Sequence, residues 1–433
     1  MRFWRKLLAG AEPPSINPDP FKRDTPPPPA AVSVPEPPRP RPSVARDEII
    51  DAQTRICGYR YRVTAHGSAP AEVVQALADA GIRNMAERRL ALLPMTAERW
   101  RSADYAALIG PGTRFLLASL EAAEPALLAE IKAVNGQVAV NVTQVDLALR
   151  ARMQDFSLLF VDYTAFNLEA FETLVRELKR VAPPLEIMVD GIATWPERRL
   201  CDSLGVHYCL GGFIATFDEA EPQEKLSESR MVLIEMLNRL RQDDELQVLA
   251  EIAKRDPVVS VQLIAMANSP LMGLAQPVTS VERAILVLGR AQLYRWLTLA
   301  MFRVGGKRDK DAALLELALV RAAFLERVAA PIYPPKACDE LFLVGLLSVF
   351  DVLLGQPLRR VLAMLHLPED VQAVLLRSEG PYARLLMLAY AVERGRQEQM
   401  ERLGDALGLT REDVQRSSSA ALAWAQAALE LGN

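Results

Sequence analysis

The sequence predicts two folded regions of different class: an α/β region of barrel type, then an all-α region, both behind a proline-rich N-terminal segment. Three observations predict this. Short apolar runs alternate with amphipathic stretches between about residues 47 and 222. From about 223 to 433 the apolar residues recur with helical period. Residues 12–46 are dominated by proline, with four in a row at 26–29. A chain of 433 residues is also too long for one ordinary core, so two domains are the natural expectation.

The first ten residues, MRFWRKLLAG, interleave basic side chains with Phe3, Trp4, Leu7 and Leu8. That apolar run is too short for a signal peptide or a membrane span. It fits an interfacial anchor that contacts a membrane, a docking helix, or a frayed end equally well. Proline builds neither helix nor central strand, so residues 1–46 are expected to be a disordered spacer.

In the first folded region, residues 47–222, strands are expected at 56–63, 90–94, 115–120, 138–142, 158–161, 185–189 and 206–210. Helices are expected at 69–80, 97–108, 124–134, 144–153, 166–181 and 196–204. Strands that alternate with amphipathic helices imply parallel βαβ units. The number of units suffices for a TIM-type barrel, and an open sheet is also compatible with it.

The second region, residues 223–433, is organised around 256–289. Asp256 is a good N-cap and Pro257 fits the first helical position, where no amide donor is needed. Val259, Leu263, Met266 and Ala267 share one helical face. Asn268-Ser269-Pro270 stops that helix, because the residue before a proline avoids the α region. Asn268 is expected to tie backbone groups of the following loop. Thr279 and Glu282 have the spacing of a capping box for a second helix. Its stripe is Val281, Ala284, Ile285 and Leu288, and Gly289 suits its C-terminal cap. Trp296 falls on an apolar face with Leu293, Leu297 and Ala300 and is expected in the core. Arg290 and Arg295 flank this helix as a solvated face. Arg321 and Glu326 are five residues apart, off ideal pairing on one helix, and are expected to pair with other helices. Further helices at 317–330, 341–354, 368–376, 382–393 and 411–431 complete the bundle, the last closing it with Trp424.

Composition narrows the function. Half the residues are hydrophobic, about a quarter charged, and the net charge is −4. That balance fits a globular protein and argues against a nucleic-acid footprint, which needs a basic face. Cys57, Cys201, Cys209 and Cys338 are scattered in apolar surroundings and read as reduced core residues of a cytoplasmic protein. Cys201, His207 and Cys209 lack a fourth ligand at zinc-site spacing.

Asp256-Pro257, the Val- and Leu-rich run 258–267, Asn268-Ser269 and the 280–289 helix resemble the signature of the HDOD domain, a helical relative of the HD phosphohydrolases. The resemblance continues through 290–296, Arg321-Ala322 with Glu326, and Gly345-Leu-Leu-Ser348, and covers the chain from about 226 onward. HD hydrolases bind metal through a His-Asp pair, and the position that resembles it is Ser348-Val349. The chain has three histidines, His66, His207 and His366, of which one lies in this region.

The α/β region resembles the EAL domain, the barrel that hydrolyses cyclic di-GMP, in decayed form. The resemblance rests on 57–62 (CGYRYR), 190–194 (DGIAT), Leu204-Gly205 and Gly211-Gly212-Phe213. EAL hydrolysis implies carboxylates that converge on metal ions at the strand ends. Here the positions that match the family's ligands are Arg60, Pro94, Ala118, 141–143, Phe160, Ala193 and Leu210, and only Asp162 and Asp190 remain acidic. These two are expected to bond nearby amides or solvent. The resemblance therefore implies a non-enzymatic signalling protein with no cofactor that binds other signalling proteins. Arg60 and Arg62, with Asp162 and Asp190, are the candidates for a weak site if the barrel binds cyclic di-GMP without cutting it. A remnant phosphodiesterase is the remaining alternative.

Overall fold

The computed structural model describes residues 42–64, 67–221, 226–269, 276–304 and 308–430. The segment 1–41, with its basic aromatic start, His66, and the middle of the loop after Asn268 lie outside these residues.

Eight strands close a barrel in the order β1 to β8. They are β1 Ser43–Asp51, β2 Ile56–Thr64, β3 Leu90–Met95, β4 Thr113–Leu117, β5 Gln137–Asn141, β6 Leu158–Asp162, β7 Glu186–Asp190 and β8 Tyr208–Leu210. Strands β2 to β8 are parallel, as the βαβ rhythm requires. Between them run α1 Pro70–Asp79, α2 Ile82–Ala86, α3 Ala97–Ser102, α4 Pro125–Ala133, α5 Leu147–Arg152, α6 Leu168–Val181 and α7 Trp195–Ser203. The expected helix 97–108 splits: α3 stops at Ser102, and Tyr105–Leu108 is a separate turn of 3-10 helix.

Strand β1 departs from the expectation. It starts at Ser43, inside the segment read as spacer, and runs antiparallel to both β2 and β8. A single antiparallel strand thus closes an otherwise parallel barrel. It followed a proline run and carried a short alternating pattern, so nothing local marked it. The barrel interior is filled by Ile49, Leu92, Ala139, Leu158, Phe160, Met188 and Leu210; β6 contributes two of these, β1, β3, β5, β7 and β8 one each, and β2 and β4 none.

The second region is wholly helical: α8 Glu228–Arg241, α9 Leu246–Ala253, α10 Pro257–Ala267, α11 Val281–Arg303, α12 Asp309–Ala329, α13 Pro335–Leu347, α14 Phe350–Leu354, α15 Leu358–Ala363, α16 Glu369–Arg377, α17 Ala383–Glu393, α18 Gln397–Leu407 and α19 Arg411–Glu430. No helix among the described residues is long and apolar enough to cross a membrane. Helix α12 is the hub, packed on α13, α19, α17 and α11. Gly345 on α13 permits the closest approach: a Cβ there would lie 2.4 Å from the Ala322 Cα.

The α10–α11 hairpin is held by its caps. The Asp256 carboxylate accepts from the amides of Val258 (2.7 Å) and Val259 (3.1 Å). The second helix is capped by the Ser280 hydroxyl, which accepts from the Arg283 amide, and not by Thr279. The cap moved one residue because α11 begins at Val281. Gly289 (φ 65°, ψ 170°) kinks α11, a conformation that glycine adopts at little cost, and helix resumes beyond it to Arg303, past the expected C-terminal cap. Asn268 spans the loop with two bonds to one residue: its Nδ2 donates to the Val278 carbonyl (2.8 Å), and its Oδ1 accepts from the Val278 amide (2.6 Å).

The two regions share one continuous apolar core. Polar contacts stitch the seam between them. The Tyr59 hydroxyl donates to Glu316 on α12 (2.5 Å), and Arg89 pairs with the same carboxylate (2.8 Å). Thr64 bonds Gln397 (2.7 Å), and Glu221 binds Arg308 (3.1 Å) and Lys310.

Leu263 is buried in the hairpin interface. Leu263→Ala should cost about 2–5 kcal/mol as a core truncation. Asn268→Ala should cost about 1–3 kcal/mol, because it strands both polar groups of Val278. Denaturant melts of the two variants check this, and a neutral Leu263→Ala would show that the hairpin is not core.

Candidate functional site

Side chains alternate between the faces of a strand, so every second residue of the barrel points inward. Ile49, Phe160 and Met188 point in, and two residues further toward the same end stand Asp47, Asp162 and Asp190. Because β1 runs antiparallel, Asp47 reaches the end where the parallel strands terminate. Register places Asp162 beside Asp190. Arg60 completes the group from β2, opposite Leu92 of the interior.

Arg60 is the centre of this mouth. Its Nε donates to Asp47 (2.9 Å), its Nη1 pairs with Asp190, and its guanidinium lies 5.9 Å from the centre of the Phe160 ring. Arg62 reaches the second Asp47 oxygen (2.5 Å). Burial alone lowers the tendency of the Arg60 guanidinium to stay charged, but Asp47 and Asp190 outweigh it and raise its pKa. Asp162 stands apart from the ion pairs: its Oδ1 accepts from the Thr164 amide (3.0 Å) and hydroxyl (2.6 Å). Asp190 thus differs from the expectation of an amide- or water-bound acid, since it is bound to Arg60. Asp47 was not singled out from the sequence, because its strand was not recognised. The Asn141 side-chain oxygen on β5 is buried with no hydrogen bond among the described residues.

The helical signature residues divide into two clusters and a cap. Asp256 accepts from Ser229 in addition to its two amides. Burial pushes its carboxyl up, but these donors prevail and hold it below the usual range. The Ser269 hydroxyl, at the far end of α10, is buried without a bond among the described residues. Arg321 is buried and grips Glu393 on α17 with two bonds (2.7 and 2.8 Å). Its third nitrogen donates to the Ser348 hydroxyl (2.6 Å), and the guanidinium lies over the Tyr390 ring at 4.8 Å. Burial opposes the Arg321 charge, yet Glu393 more than compensates and raises its pKa. Asp351 lies close by, and burial raises its carboxyl.

Glu326 is not in that cluster. It pairs with Arg295 (2.6 Å), which also binds Asp339 and stacks on Phe342 at 4.5 Å. Arg290 donates to the carbonyls of Leu240 (3.2 Å) and Asp243 (2.9 Å) and so caps α8. Both arginines are therefore tied within the domain, where a solvated face was expected. Trp296 is half-buried against the core. The His207 ring accepts from the Ile187 amide (2.9 Å), and His366 is exposed. Among the described residues no group of three or more His, Cys, Asp or Glu is placed to hold a metal ion.

Residues 226–378 match the HDOD domain family. The helical region carries an HDOD domain. Two curated bacterial proteins are similar to the chain. A Vibrio cholerae protein named cyclic di-GMP phosphodiesterase CdgJ is 26% identical over 268 residues, 61% of each chain. The uncharacterized protein YuxH of Bacillus subtilis is 26% identical over 176 residues, 40% of this chain and 43% of that protein. The chain thus matches about half the length of these relatives. In structure, the barrel region is similar to an EAL domain protein from Listeria monocytogenes, at 13% identity and a TM-score of 0.32 over 40% of this chain and 86% of that one.

Arg60→Ala should leave Asp47 and Asp190 facing each other without their shared cation. We expect a loss of about 1–3 kcal/mol, partly restored by a second change, Asp190→Asn. Thermal melts of the single and double variants measure it. Independent, additive losses would show that Arg60 and Asp190 do not act as a pair.

Proposed function

We propose that this chain is a non-enzymatic component of bacterial cyclic di-GMP signalling, held in the cytoplasm, that works by binding other signalling proteins through its HDOD domain. The observation that carries this reading is Arg60. Its guanidinium stands at the centre of the barrel mouth and is bound to two of the three acids there. A metal ion at that place would meet a fixed positive charge at contact range, and two of the three acids there are already neutralised. The HDOD domain supports the interaction role, and the name of the Vibrio relative supports the pathway.

A second reading has its own support. Arg60 and Arg62 place two guanidinium groups at the mouth, the kind of group that a nucleotide phosphate engages. On that reading the barrel binds cyclic di-GMP without hydrolysing it. The name of the Vibrio relative also keeps a remnant phosphodiesterase in view.

One experiment separates the three. The purified full chain is titrated with cyclic di-GMP, with and without Mg²⁺ or Mn²⁺, while binding and product are both followed. We expect no turnover above background. Binding that Arg60→Ala weakens without turnover would favour the receptor. Metal-dependent turnover lost in Asp162→Asn or Asp190→Asn would overturn the proposal. For the partner role, Gln276 is exposed at the end of the hairpin loop. Gln276→Arg should leave stability within about 0.5 kcal/mol, as expected for an exposed site. The same change should weaken partner capture in a pull-down, and an unaltered set of partners would place the surface elsewhere.

A further inference from the structure

We infer that the seam between the barrel and the HDOD domain is a proton-responsive latch centred on the Glu48 carboxylate, closed when Glu48 holds a proton and loosened when it gives the proton up. The inference stands whatever the barrel binds.

The geometry comes from β1. Its alternation sends Asp47 into the barrel mouth and Glu48 to the opposite face, against the helices. There Glu48 lines a cavity of about 40 Å³ between β1, β2, α12, α17 and α19, too small for a metabolite. The charged and titratable groups around it come from every packed element. Arg46 and Asp47 flank it on β1, Tyr59 faces it from β2, Glu316 and Arg321 from α12, and Glu393 from α17. Arg89 stands behind Glu316, and α19 contributes Ser418, which does not titrate near neutrality.

Arg321 and Arg89 are committed elsewhere, and Arg46 lowers the Glu48 pKa less than burial and Glu393 raise it. Arg321 is bound to Glu393 by two bonds, and Arg89 is bound to Glu316. The Arg46 guanidinium lies 5.8 Å from the Tyr59 ring centre. Asp47 is held by Arg60 and Arg62. Among the described residues Glu48 makes no ion pair of its own, and the carboxylate that acts on it most strongly is Glu393. Burial first, and then Glu393, raise the Glu48 acid from 4.5 to about 7.

The sign follows from proton counting. A closed seam holds Glu48 with a raised pKa, and an opened seam returns it to its ordinary value. Closure therefore takes up a proton between about pH 4.5 and 7. The closed state is favoured at the acid end and is progressively lost as pH rises through 7. With these two values, the opening equilibrium should increase about tenfold from pH 6 to pH 8.

Two measurements on the full chain test this. The first is a carboxyl ¹³C titration of wild-type protein labelled in glutamate. It should show one glutamate that titrates near neutrality, and that signal should vanish in Glu48→Gln. The second is native-state proteolysis, read as the ratio of the wild-type rate to the Glu48→Gln rate so that the pH profile of the protease cancels. The ratio should rise about tenfold from pH 6 to pH 8. Glu393→Gln should move the Glu48 midpoint downward. No glutamate that titrates near neutrality, or a flat ratio, would overturn the latch, and the first result needs no variant to fold.

Discussion

Strand β1 is the constraint on which the rest of the structure depends. Without it the seven parallel strands have two open edges. With it the sheet closes, because β1 pairs antiparallel with β2 on one side and β8 on the other. The same nine residues connect the two regions. Strand alternation gives β1 one face toward the barrel interior and one toward the helices, so adjacent acids serve different places. Asp47 anchors Arg60 in the mouth, and Glu48 enters the seam.

The mouth is a charge-compensated cluster. A guanidinium replaces what would otherwise be mutual repulsion among Asp47 and Asp190 with two ion pairs in a partly buried site. Desolvation penalises each charge taken alone, so the cluster holds only while its members stay together. The acids that the resemblance to a hydrolase directs attention to are therefore structural partners of Arg60 or caps of a local turn. Chemistry that requires them to be open to a cation would first have to break that pairing.

The HDOD domain repeats the same physical solution in its interior. Arg321 is buried on the hub helix, and each of its three guanidinium nitrogens finds a partner in Glu393 or Ser348 beneath the face of Tyr390. This draws α12, α13 and α17 together at the level of the seam. Since Glu393 also faces Glu48, the ion pair inside the domain and the proton equilibrium at its edge share one carboxylate. The hairpin lies elsewhere on the domain and is stabilised locally, by Asp256, Ser280 and the double bond set of Asn268.

The features legible in the sequence were those whose causes lie within a few residues. The seven parallel strands follow from short apolar runs that alternate with amphipathic helices, and the helical domain from its 3.6-residue period; closure of the barrel needed β1, which no local pattern marked. Asp256 reads as a cap because its donors are the nearby amides of Val258 and Val259, and Gly289 as a helix end because a positive φ suits glycine, although helix resumes beyond it. Asn268 reads as a loop tie because its partner is ten residues away. Thr279 was displaced by Ser280 because adjacent hydroxyl residues compete for one cap and only the helix start decides between them. Tertiary structure alone decided the rest. Arg60 meets Asp190 across 130 residues of sequence, Tyr59 meets Glu316 across 257, and Arg321 meets Glu393 across 72. A charged side chain carries no local mark of its distant partner. Its spacing in the chain is free, and only the packed backbone brings the two groups to bonding distance.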